Sequence, residues 1–209
     1  MSNINPNLER INTPNYEKSG LVLKSASSLE WVQCALSDFG TFLVDHAVCE
    51  RKAMATCLSF ADRYSEKVEL VDAMLTIAIE ELEHFHQVVK LMHDRGITLV
   101  KKEKDEYVNR LLSFARNSEG DHLMDRLIVS ALIEARGCER FALIGQHMED
   151  PDLAKFYRDL ATAEARHNVF FLKIAKKYFP SDKVEVRAEE YLIHEASVIE
   201  SLPLRPILH

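Results

Sequence analysis

From Ser28 onward the apolar residues recur at three- and four-residue steps and never settle into alternation. Trp31, Val32, Ala35, Leu36, Phe39, Leu43, Ala47, Met54, Cys57 and Ala61 trace one face of a single long helix, which the pattern ends near Arg63 or Tyr64. A second helix is expected from about Lys67, with Gly96 as its C-terminal stop, so that the two form an antiparallel hairpin. The charged stretch that follows predicts a short amphipathic helix over Lys102 to Arg116, inside a long crossover. A third long helix is expected from about His122 to Met148. Pro151 then opens a fourth that reaches about Tyr178. One more helix fits Asp182 to Ser201, and "LPLRPILH" should end extended. Residues 1–27 read as an irregular arm, and 28–209 as one domain.

Six Gly and six Pro in 209 residues leave few breaks, and the class is all-α. The two hairpins repeat each other weakly, "CERKA" against "CERFA" and "EELEH" against "AEARH", as an internal duplication would. Two hairpins joined by a long crossover, with additional short helices, describe a ferritin-like four-helix bundle.

The formal charge of −7 argues against nonspecific coating of nucleic acid or lipid. Cys34, Cys49, Cys57 and Cys138 fall in helical segments without CxxC pairing, and are expected to be reduced, which fits a cytoplasmic setting. No apolar run approaches the roughly 20 residues that span a bilayer, so no membrane partner is expected.

Acids interrupt the apolar faces. A helix turns about 100° per residue, which places Leu70, Met74, Ile77, Phe85, Val88 and Met92 within roughly 40° of Glu81, with His84 about 60° away. Glu81 therefore points into the core, while Glu80 and Glu83 read as solvated. On the fourth helix Leu153, Tyr157, Leu160, Asn168, Phe171 and Ala175 surround Glu164 in the same way, with His167 beside it. Glu50 is centred on the apolar face of the first helix. On the third, Glu139 would match Glu50 in the "CER" register, but its face carries Arg136 and Gln146, whereas Glu134 shares its face with Leu127, Ala131, Cys138 and Phe141. Glu134 is preferred, and its separation from Glu164 nearly equals that of Glu50 from Glu81. Glu139 and Asp45 remain candidates for an outer layer.

Four carboxylates in one core cannot stay ionised without a cation, because each unpaired buried charge costs several kcal/mol. Two divalent metals cancel their charge, and mixed imidazole and carboxylate donors suit iron or manganese. One Glu from each of two helices plus Glu-x-x-His from the other two is the donor set of dinuclear carboxylate bundles. The expected ligands are Glu50, Glu81, His84, Glu134, Glu164 and His167. His46 reads as a hydrogen-bonded core histidine more readily than as a ligand, and Tyr157 as packing or as an outer-layer residue. Arg51, Arg136 and Arg140 read as surface or outer-layer charges, and His86, His93, His122, His147 and His194 as solvent-side.

The stretches "VDHAVCERKA", "EELEHF", "RGITL", "DEYVNRLL", "DRLIVSALIEARGCERF" and "AEARH" together closely resemble the tRNA hydroxylase family that acts on 2-methylthio-isopentenyladenosine beside the anticodon. The resemblance runs from about Leu21 to the C-terminus. It implies a monooxygenase with two iron ions held by the six residues above, dioxygen as co-substrate, and an external electron donor supplied by an unidentified electron-transfer partner. It also implies tRNA bearing a prenylated adenosine as substrate, with apolar residues holding the prenyl group. Residues 90–116 carry a net +3 and 155–187 a net +4, so two basic segments are candidates for tracking phosphates. The alternatives are a ferritin-like ferroxidase for iron detoxification, and a peroxide-reducing protein, which the lack of a Cys-rich iron site disfavours.

Overall fold

The computed structural model describes residues 20–101 and 105–209, and every regular element among them is α-helical. Helix α1 spans Leu29–Ser37 and α2 Phe39–Arg63; α3 spans Val68–His93 and α4 Glu106–Ser113. Helices α5, α6 and α7 span Glu119–His147, Pro151–Tyr178 and Ser181–Ser201.

The expected single first helix is two. Asp38 leaves helical geometry (φ −128°, ψ 61°), and its side chain accepts the Thr41 N–H to start α2. A short acid that caps a new helix competes with continuing the old one, and apolar periodicity is blind to that. The crossover helix is also shorter than expected. Asp105 accepts the Val108 N–H and fixes the start of α4 at Glu106, while the expected positions 102–104 lie outside the described residues. Of the expected N-terminal arm, residues 20–27 are non-helical, and 1–19 lie outside the described residues.

The other bounds fall close to the pattern. After α3, Gly96 takes φ 69°, and the Gly96 and Ile97 N–H groups reach back to the His93 and Met92 carbonyls. Pro151 opens α6 beside Asp150, whose carboxylate accepts the Asp152 and Leu153 N–H groups.

Helix α2 packs along α3, and α5 along α6, whereas the two hairpins approach each other mainly across α3 and α6. Their shared interior is apolar at both ends. One end holds Leu70, Met74, Leu127, Ala131 and Phe171, and the other Trp31, Phe42, Phe141, Tyr157 and Leu160. Each fully buried large side chain of this kind stabilises the fold by about 1.5–3 kcal/mol. The acids lie between these ends.

Residues 202–209, expected to end extended, instead turn back over α1, α2 and α5. The Trp31 indole donates to the Ile207 carbonyl, Arg140 to the Leu208 carbonyl, and the Leu208 N–H to Asp45. Arg136 and Arg140, read as surface or outer-layer charges, are buried. Arg136 reaches α7 through Glu195 (2.7 Å), which also accepts the Tyr107 hydroxyl (3.0 Å). A buried guanidinium is tolerable only with such partners.

Candidate metal centre

Glu50, Glu81, Glu134, Glu164 and His167 are all buried, and the His84 side chain keeps 13% exposure. Their donor atoms form two groups. Glu50, Glu81, His84 and Glu164 make one, and Glu81, Glu134, Glu164 and His167 the other. Glu81 and Glu164 belong to both. Each group takes three members from one hairpin and one from the other.

In the first group His84 Nδ1 stands 3.6 Å from Glu81, 3.8 Å from Glu50 and 3.8 Å from Glu164. These separations are too long for hydrogen bonds and suit donors gathered around a shared ion. In the second, His167 Nδ1 lies 2.8 Å from Glu81, 3.3 Å from Glu164 and 4.0 Å from Glu134. Both oxygens of Glu81, one of Glu164, and Nδ1 of each histidine are buried without a hydrogen-bond partner. Orphaned buried donors and acceptors are rare in folded proteins. Here they point at one another, so the residues fit a pair of cations with oxygen and nitrogen ligands.

The electrostatics agree. With no cation among the acids, burial and the neighbouring carboxylates push Glu50 and Glu134 well above the usual carboxylate range. Burial would raise Glu81 too, but His167 and His84 outweigh it and hold Glu81 below that range. Burial lowers His167, yet Glu164 and Glu81 carry it up to about 11. Protons thus take the place that cations would fill.

An outer layer orients the cage. His46 is fully buried, and burial, followed by the charge of His84, lowers it to about 3, so its ring is neutral. Its Nε2 lies 2.6 Å from Glu50, and its Nδ1 lies 3.3 Å from the Tyr157 hydroxyl. One tautomer of that ring would donate from Nε2 to an ionised Glu50 and accept the Tyr157 hydroxyl at Nδ1. Glu80, read from the sequence as solvated, is a correction. Its carboxylate receives His167 Nε2 at 3.1 Å, which leaves Nδ1 turned inward. The helical wheel correctly placed Glu80 off the core face of α3, but the outer edge of His167 emerges at that same edge. Glu139 lies outside the cage, accepting from Arg136 and the Ser27 hydroxyl. Asp45 also lies outside it, holding the Leu208 N–H.

A cavity opens beside the cage. A space of about 480 Å³ has Glu50, Glu81, Glu134 and Glu164 in its floor and Ile133, Gly137, Phe141 and Phe171 in its walls. Ala55, Ser59 and Asn109 mark its exposed side, and Lys52 and Arg126 line it as well. The expected basic segments are partly spent on the protein itself. Arg116 and Arg187 both bind Asp125, and Lys176 and Lys177 pair with Glu185 and Glu69.

The chain is similar to known proteins. A tRNA 2-(methylsulfanyl)-N(6)-isopentenyladenosine(37) hydroxylase from Pseudomonas putida (strain KT2440) is 42% identical over 148 residues, 71% of this chain and 72% of that protein. The protein of the same description from Salmonella typhimurium (strain LT2) is 38% identical over 133 residues, 64% of this chain and 48% of its own length. Among solved structures, a Synechococcus protein with aldehyde deformylating oxygenase activity superposes with a TM-score of 0.85 at 34% identity, over 90% of this chain and 94% of that one. The model of the family described as tRNA-(MS[2]IO[6]A)-hydroxylase (MiaE) matches residues 15–209, and the chain belongs to that family.

Proposed function

We propose that this chain is a dioxygen-dependent di-iron monooxygenase that hydroxylates the isopentenyl group of 2-methylthio-isopentenyladenosine beside the tRNA anticodon. Family membership and the names of both curated relatives support the reaction. The observation that carries it in this chain is the mostly apolar cavity lined by the four glutamates of the cage. A storage protein needs only a path for ions, whereas a hydroxylase must seat an organic side chain against the oxidising centre.

Glu50, Glu81, His84, Glu134, Glu164 and His167 would hold the two irons. Iron supplies dioxygen activation there, with electrons from an external donor protein. The chain's own residues do the rest. Phe141, Phe171 and Ile133 receive the prenyl group and exclude water, which Gly137 assists by leaving the wall open beside Glu164. His46 and Glu80 keep Glu50 and His167 turned inward. Lys52 and Arg126, set beside the cavity, are placed to meet phosphates that flank an extruded nucleoside. The setting is the cytoplasm, where such tRNA is found; no helix among the described residues is long and apolar enough to cross a membrane.

The test is a single-turnover reaction: ferrous-loaded, reduced protein, tRNA bearing the methylthio-isopentenyl nucleoside, and labelled dioxygen, with nucleosides read by mass spectrometry. One labelled oxygen on the prenyl group is expected. Rapid iron oxidation with unchanged nucleoside would overturn the assignment in favour of a ferroxidase. Glu81→Ala and His167→Ala should lose iron and turnover together, and full iron content in both would refute the ligand set.

A further inference from the structure

Three metal-ligating side chains outside the cage converge on the wall of the same cavity. Cys49 precedes Glu50 on α2, Asp105 caps α4, and His209 lies in the segment after α7. Cys49 Sγ stands 3.7 Å from His209 Nδ1, which stands 3.7 Å from Asp105 Oδ2. One donor atom from each residue lies within 4.8 Å of the other two.

Those distances carry the argument. A tetrahedral divalent ion, with sulfur at about 2.3 Å and nitrogen or oxygen at about 2.0–2.2 Å, sets neighbouring ligand atoms about 3.4–3.6 Å apart. The two edges at His209 exceed that by only a tenth or a few tenths of an ångström, and the Cys49 to Asp105 edge lies within 4.8 Å. The imidazole to carboxylate separation is also too long for a hydrogen bond.

The three side chains are held in place by their neighbours; Cys49 Sγ donates to Asp45 Oδ2 at 3.9 Å and Asp105 Oδ2 accepts Lys52 at 3.4 Å, contacts that an ion would displace. The His209 ring stacks on Tyr107 (5.0 Å between centroids, 13° between planes). The other oxygen of Asp105 is occupied by the Val108 N–H. The backbone beside His209 is pinned at Leu208 by Asp45 and Arg140. Cys49 is fixed in the middle of α2. Three residues from distant parts of the chain are thus preorganised around one point.

We propose that Cys49, Asp105 and His209 form a mononuclear site for a borderline-soft divalent cation of the Zn²⁺ or Co²⁺ class, with its remaining coordination position facing the cavity. Binding exchanges the Cys49 thiol proton, released to solvent, for the ion, and no electron moves. Lys52, 3.4 Å from Asp105, and the nearby Arg140 oppose the ion. Asp45, 3.9 Å from Cys49 Sγ, and the thiolate itself offset them. The Lys52 side chain is 38% exposed and can turn into solvent. The bound ion would clip residues 202–209 to α2 and α4 and so set the shape of the cavity wall. The site stands independently of the dinuclear reading.

Sulfur provides the test, because the six cage residues offer only oxygen and nitrogen. The whole chain, reduced and anaerobic, is titrated with Co²⁺ while thiolate-to-cobalt charge transfer is followed in the near ultraviolet. The expected result is a band that saturates at one ion per chain. It should vanish in Cys49→Ser, and persist both in Cys57→Ser and in the double variant Glu81→Ala/Glu164→Ala. His209→Ala should weaken the cobalt affinity behind the band at least about tenfold, with the far-ultraviolet circular dichroism unchanged. No band in the unaltered chain, a band that survives Cys49→Ser, or His209→Ala binding as tightly as the parent would each overturn the proposal.

Discussion

The choice between Glu134 and Glu139 on α5 can be settled by a crossed pair of readouts. Glu134 is a buried acid in one metal group, pushed upward by burial and by Glu164. Without a cation, burial keeps it uncharged and unable to form an ion pair, so Glu134→Ala should leave the melting temperature of the metal-free protein nearly unchanged. Its effect should appear in metal content. The group that keeps Glu50, Glu81, His84 and Glu164 is intact, whereas the other falls to three donors, and tightly held iron should drop from two ions per chain to one. Glu139 should behave in the opposite way. It accepts Arg136 Nη1 at 2.9 Å and the Ser27 hydroxyl at 2.8 Å, and also receives the Ser27 N–H. Losing a charged acceptor for these groups costs about 1.5–3 kcal/mol. For a chain of this size that lowers the melting temperature by roughly 3–12 °C. Iron content should stay at two. The assays are circular dichroism melts of chelated protein and elemental analysis after desalting. If Glu139→Ala loses iron while Glu134→Ala retains it, the assignment of α5 to the cage is wrong.

Gly145→Ala places a Cβ 3.0 Å from Arg158 Cγ and 3.1 Å from the Ala154 carbonyl and the Arg158 N, so α5 and α6 must part, costing about 1–3 kcal/mol in a urea titration. Asp125 sits under Arg187 and Arg116, which outweigh burial and hold it below 3.8. A depressed carboxyl stabilises fully above its unfolded value and loses that contribution as pH falls through the folded one. The stability advantage over Asp125→Asn should therefore shrink from about pH 5 downward, and a gap that stayed constant to pH 3 would contradict the pairing. Lys52→Ala and Arg126→Ala should each weaken tRNA binding and reduce the salt slope by about one unit, and filter binding at several ionic strengths would show an unchanged slope if neither meets a phosphate.

The helical wheel located the cage because an acid on an apolar centre line breaks a strong periodic signal, and the four long helices hold that period over many turns. Glu134 was separable from Glu139 for the same reason. Their neighbours on the wheel differ, even though the local "CER" repeat points the other way. The rest depended on contacts between elements. Arg136 and Arg140 look like surface charges until α7 brings Glu195 and the final segment brings the Leu208 carbonyl. Glu80 is off the core face of its own helix and becomes significant only through His167 on another. His209 follows a Pro-rich stretch without periodicity, so nothing along the chain announces that it meets Cys49 and Asp105. The break at Asp38 is legible in principle as a capping acid, but it was masked by the apolar residues on either side.

The exchange of ligands between the hairpins has a consequence for assembly. Glu50, Glu81 and His84 come from the first hairpin, and Glu134, Glu164 and His167 from the second, yet neither can complete a four-donor set without one carboxylate from the other. A hairpin formed early in synthesis therefore offers only an incomplete set. Tight binding begins when the two halves dock in register, and a slip of one turn in either would withdraw the crossing carboxylate. On the proposed ligand set, ion capture would double as proofreading of the chain's own tertiary structure.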